Sequence, residues 1–236
     1  MSAAMCARWL RTPSVTASLV ALMLVRAGQT LVLSPQGLPD QHICWAYARL
    51  NAPAMAGLVY VPASLACFVQ PVRLFSRTVP IVACKTRSRL MLRCTASVLQ
   101  AAAIISAVLT AAPLPALLVR FPAPAFTPTY LLCSWAMQTL FFTVVGLLLN
   151  ALLWATGVLP AGVIAALIYG VWDFMALSVP GGGVPLVGWV IAGVDVPPDL
   201  AATAHDALRL VLLAGALASA AFACVRRRDI LTNREV

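Results

Sequence analysis

The chain has 236 residues, 62% of them hydrophobic and only 10% charged, and its mean hydropathy is +0.94. A water-soluble domain of this size has too little polar surface to cover so much apolar material. A soluble nucleic-acid-binding domain, a disordered chain and a secreted disulfide scaffold are all excluded, which leaves an integral membrane protein whose net charge of +9 is a matter of topology.

A helix that crosses a membrane needs roughly 20 mostly apolar residues at about 1.5 Å each. The first such run is 14–34, with Arg26 inside it. Val25-Arg26-Ala27 has the outline of a signal-cleavage site, and cutting there would leave five spans. Arg just before a cut is unfavourable and the apolar run resumes after it, so the run is expected to persist as a span. The second run is 52–72, and residues 73–94 form a basic loop. The third run is 95–118, the fourth 131–155 and the fifth 158–179. Only Thr156 and Gly157 lie between the fourth and fifth, and Pro160 sits in a first turn where its missing N–H costs nothing, so a tight hairpin is expected. The segment 180–206 carries Gly181, Gly182 and Gly183 between Pro180 and Pro185, then an apolar stretch too short to span, then Pro197 and Pro198. It is expected on the outer side, either as a re-entrant piece or as a surface loop packed on the bundle. The last run is 207–225. These runs are apolar all round rather than alternating, which predicts an all-α bundle of six transmembrane helices and not a barrel. Small residues in the last run (Ala214, Gly215, Ala216, Ala218, Ser219, Ala220 and Ala221) and in the third (Ala101, Ala102, Ala103, Ser106 and Ala107) are expected to pack closely on their neighbours.

Basic residues in short loops stay cytoplasmic. With six spans, Arg8 and Arg11, the loop residues Arg73, Arg77, Lys85, Arg87, Arg89 and Arg93, and the tail residues Arg226, Arg227, Arg228 and Arg234 fall on one side, 12 of the 16 basic residues. Asp40, Asp195, Asp199 and Asp206 gather on the other. Both termini are therefore expected in the cytoplasm.

Reactive motifs are scarce. The single lysine, Lys85, belongs to no phosphate-binding loop, and no hydrolase or zinc-protease motif is present. His42 and His205 are far apart, which gives no metal site, and Glu235 is the only glutamate. No catalytic residue is expected. Cys44 and Cys133 are the cysteines placed to meet oxidising conditions. Arg26 and Asp173 are the ionisable residues inside spans, and such residues are functional candidates by default. Arg26 lies 8 residues before the outer end of its span and Asp173 lies 6 before the end of its own, depths of about 12 and 9 Å. An ion pair between helices one and five would satisfy both charges. The alternative is an Arg26 that snorkels outward and an Asp173 that faces a wet cavity.

Three stretches carry a resemblance: the outer segment Leu38-Pro39-Asp40-Gln41-His42-Ile43-Cys44-Trp45-Ala46-Tyr47-Ala48, the turn Cys84-Lys85-Thr86-Arg87-Ser88-Arg89-Leu90-Met91-Leu92, and the tail Val225-Arg226-Arg227-Arg228-Asp229-Ile230-Leu231. Their order resembles the small six-helix permeases of type 2 ATP-binding-cassette (ABC) exporters, in which a basic, Ser-containing turn precedes the third helix and a basic-basic-Asp-aliphatic tail follows the sixth. The chain departs from that pattern at Arg87, where relatives often have Gly, and at Leu90, where an aromatic is usual.

The resemblance implies a membrane permease subunit of the cell (plasma) membrane, here a bacterial inner membrane. Such a subunit forms the substrate pathway while ATP is bound and hydrolysed by a separate cytoplasmic subunit, so this chain would need no cofactor of its own. It implies a second permease subunit, identical or related, and docking of the ATPase on the loop that holds Arg73, Arg77, Lys85, Arg87, Ser88, Arg89 and Arg93. It also puts helices one and five at the subunit interface, where Arg26 and Asp173 would meet. The other readings are a membrane assembly or interaction subunit without transport, and a proton-coupled carrier that uses Asp173.

Overall fold

The computed structural model describes residues 9–32, 42–76, 86–178 and 194–227, and they are helical with no strand among them. Helix α1 (Pro13–Val32) is followed by the short α2 (Ile43–Leu50). Helix α3 runs through Pro53–Met55, a π-helical turn Ala56–Tyr60 and Val61–Ser76. Then come α4 (Arg87–Ala111), the short α5 (Leu114–Arg120), α6 (Thr127–Thr156), α7 (Leu159–Ser178) and α8 (Leu200–Arg227). Among the described residues, four stretches are long and apolar enough to cross a membrane: α1, α4 with α5, α6 and α8.

Helix α6 is the centre of the bundle. It packs against α3, α4, α7 and α8, and its Phe141, Phe142, Val145 and Leu149 are all buried. The outer helices turn apolar side chains outward. Ile164, Ile168, Val171 and Met175 share one face of α7 and are all exposed, as are Leu208, Val211 and Leu212 on α8. Apolar groups outside, with Arg26, Gln138 and Asn150 buried inside, is the distribution a bilayer solvent selects.

Prolines punctuate the helices. The π-helical turn, in which the Val61 N–H reaches five residues back to Ala56 O, ends at Tyr60, two residues before Pro62, which has no N–H to offer the usual acceptor Leu58. Pro71 lies inside α3. Pro113 sits at the break between α4 and α5, five residues before the end of the expected third span.

Two expectations are corrected. The basic segment 73–94 is not all loop: α3 continues to Ser76 and α4 starts at Arg87, with Thr86 Oγ1 accepting the Arg89 N–H at 3.3 Å as its cap. The small residues of the last span do not all pack inward. Helix α8 turns Leu210, Ala221 and Val225 towards the protein, while Gly215, Ala216, Ser219 and Ala220 are exposed. The segment 180–206 lies outside the described residues up to position 193.

The α6–α7 hairpin turns at Gly157, whose φ of 80° is the left-handed conformation that glycine adopts freely. It closes tightly because a Cβ on Gly162 would stand 2.8 Å from the Leu149 carbonyl oxygen, and backbone cannot yield as a side chain can. Gly162→Val is expected to destabilise the protein by about 1–3 kcal/mol. Thermal unfolding in detergent measures this, and an unchanged midpoint would contradict the close approach.

Candidate functional site

Arg26 is fully buried, and among the described residues only Asp206 is another buried charged side chain. Two main-chain carbonyls and two side-chain groups converge on the guanidinium from neighbouring helices. Its Nε donates to Leu109 O of α4 (3.2 Å), Nη1 to Leu50 O of α2 and to Tyr60 OH of α3 (3.0 Å), and Nη2 to Asn51 Oδ1. The rings of Tyr47 and Tyr60 face its charge at 5.4 and 5.1 Å. The network spreads further: Tyr60 OH is 2.7 Å from Gln29 Oε1, Gln138 Nε2 donates to Tyr47 OH (3.0 Å), and Tyr47 OH donates to Thr110 Oγ1 (3.1 Å).

The acceptors are available for a local reason. In a helix Leu109 O would receive the N–H four residues on, but that residue is Pro113, which has none. Leu50 ends α2, so its carbonyl is one of the four that any helix leaves unpaired at its C-terminus. Each such end carries about half a negative charge, so the two together approach the single positive charge of Arg26. Among the described residues no carboxylate lies against the guanidinium, and neutral groups hold it.

The same chemistry recurs. Pro71 removes the donor for Cys67 O, and Trp9 Nε1 supplies one at 3.0 Å. Arg120 Nη1 caps the last turn of α1 through Thr30 O (2.9 Å). At the other end of the bundle Arg87 Nη1 donates to Val225 O (3.3 Å) and Arg226 O, the last carbonyls of α8.

The remaining sequence candidates fall as follows. Arg73 is on the last turn of α3, and Arg87, Ser88, Arg89 and Arg93 are on the first two turns of α4, all exposed. Arg77 and Lys85 lie outside the described residues. Asp173 belongs to α7, but its side chain lies outside what is described. Helix α1 packs on α2, α3, α4 and α5, and α7 packs on α6 and on α3, including the π-helical turn that carries Tyr60. His42 stands edge-on to Phe126 at 5.7 Å, and His205 is exposed beside Asp206. Cys44 and Cys133 are free thiols. Sequence reasoning found Arg26 and looked for a carboxylate; it missed Leu50, Asn51, Tyr60 and Leu109. The available signal was Pro113 four residues after Leu109.

Comparison with protein-family models, with curated proteins and with solved structures finds no match.

The cluster ties four helices at one point and holds a fixed charge there. Arg26→Lys keeps the charge but replaces a planar fork by a compact ammonium that cannot span Leu50, Asn51 and Leu109 together. It is expected to destabilise the protein by about 1–3 kcal/mol, the cost of a buried acceptor left without a donor. Unfolding in detergent reads this, and a lysine variant as stable as the native protein would show that the fork geometry is dispensable.

Proposed function

We propose that the chain is the membrane-spanning permease subunit of an ATP-driven ABC exporter. In this reading six helices cross a bacterial inner membrane with both termini in the cytoplasm. The missing spans in the strict length count are α3, which the π-helical turn interrupts, and α7. The subunit forms a pathway for an amphipathic or lipid-like substrate, pairs with a second permease subunit, and couples to a separate cytoplasmic ATPase that binds the ATP.

The observation that supports this best is the junction made by Arg87. The basic start of α4 and the basic end of α8 belong to two of the three stretches that carry the family resemblance, and Arg87, itself a departure from the family pattern, joins them at one end of the bundle. Arg89, Arg93, Arg226 and Arg227 are exposed at that same end. An ATPase docked there would touch α4 and α8 at once, so its closure would bias two helices that both pack on α6. Asp195, Asp199 and Asp206 belong to the other end of α8, and the excess of arginine at the basic end supports its assignment to the cytoplasm.

Because Arg87 caps α8, it is a positioning residue, and the docking charges are better sought in Lys85 and Arg89. Replacing both by Gln is expected to lower recovery of the ATPase with the purified, correctly inserted protein several-fold while the melting temperature stays unchanged. Recovery of no P-loop ATPase with the native protein from its own membranes would sink the exporter reading. Full recovery with the double variant would assign those charges to topology alone.

A further inference from the structure

Helix α8 has an unusual outward face. Gly215, Ser219, Ala223 and Arg226 fall within an arc of about 80° at 3.6 residues per turn, with Ala216, Ala220 and Arg227 on the adjoining strip. All of them are exposed, and a Cβ added to Gly215 would meet nothing within 4 Å. From Gly215 to Arg226 the helix rises about 16 Å, close to half of a hydrocarbon core of about 30 Å. Beyond that depth the face becomes bulky, at Leu208, Val211 and Leu212. The trough is therefore one leaflet deep and opens at the basic end.

Two guanidinia stand at its mouth. Arg226 is held over the Phe222 ring at 5.8 Å, and its carbonyl is held by Arg87. The acids described on or next to α8, Asp195, Asp199 and Asp206, are at the far end of the helix. We propose that this face binds an anionic phospholipid of the leaflet on the basic side, with its phosphate between Arg226 and Arg227 and one acyl chain along Gly215, Ser219 and Ala223. Small residues let a second surface approach closely, and fixed basic charge beside them selects an anionic headgroup. A second copy of the chain fits less well, because a parallel pair through this face would set four arginines against one another. The inference rests on α8 crossing the membrane and not on the exporter reading.

The test is to equilibrate the detergent-purified full chain with equal parts of phosphatidylglycerol and phosphatidylcholine and to measure retained lipid by mass spectrometry. The native protein is expected to retain the anionic lipid about tenfold over the zwitterionic one. Arg226→Gln with Arg227→Gln brings the two to parity, and Arg226→Lys with Arg227→Lys preserves the preference. Gly215→Leu with Ser219→Leu lowers retention of both lipids several-fold with the arginines intact. The melting temperature of the unaltered protein, raised by phosphatidylglycerol and not by phosphatidylcholine, reads the same property without any substitution. Equal retention by the native protein, or a preference that survives the Gln pair, overturns the proposal. So does a trough-filling variant that keeps its lipid but turns a dimer into a monomer, since a second copy would then be the occupant.

Discussion

The guanidinium of Arg26 sits where two helices end, and much of the bundle is arranged around that meeting. An arginine in hydrocarbon costs several kcal/mol unless its charge and its N–H groups are both satisfied. Here Leu50 O and Leu109 O bring the negative ends of α2 and α4, Asn51 and Tyr60 add neutral acceptors, and two tyrosine rings line the sides. The contacts draw α1 against α2, α3 and α4 at one depth. Removing any of these helices would leave the others with buried polar groups that lipid cannot hydrate.

A chain with 16 basic and only 7 acidic residues has few carboxylates to offer its arginines. Helix ends and prolines replace them. Pro113 frees Leu109 O for Arg26, Pro71 frees Cys67 O for Trp9, and the C-terminal turns of α1 and α8 receive Arg120 and Arg87. Each proline weakens its own helix but creates a strong acceptor at a fixed place, which a donor from a distant segment then fills. All four donors, Trp9, Arg26, Arg87 and Arg120, reach across more than 50 residues of sequence, so tertiary packing and backbone satisfaction are one problem here. A chain solvated by lipid has no water to solve the second separately.

Much of the helical layout was legible because hydrophobic run length and turn chemistry are local properties. The helices α6 and α7 meet at Gly157 as the Thr156-Gly157 pair and Pro160 imply. The break at Pro113 was hidden because residues on both sides of it are equally apolar, so hydropathy runs straight through. The start of α4 was hidden for the opposite reason: Arg87, Ser88 and Arg89 look like loop residues until Thr86 is recognised as a cap. At the candidate site, charge depth identified Arg26, but its partners are mainly backbone carbonyls, which have no residue signature. The outward direction of Gly215 and Ser219 was likewise illegible, because small residues are equally suited to helix contact and to open grooves.

Two double-mutant cycles on unfolding in detergent address the central claim, that helix-end carbonyls rather than a carboxylate hold Arg26. One crosses Arg26→Leu with Pro113→Ala, which gives Leu109 O an N–H of its own; the other crosses Arg26→Leu with Asp173→Asn. The account predicts a coupling of about 1 kcal/mol in the first cycle, the worth of one hydrogen bond, and none in the second. Coupling to Asp173 without coupling to Pro113 would contradict it.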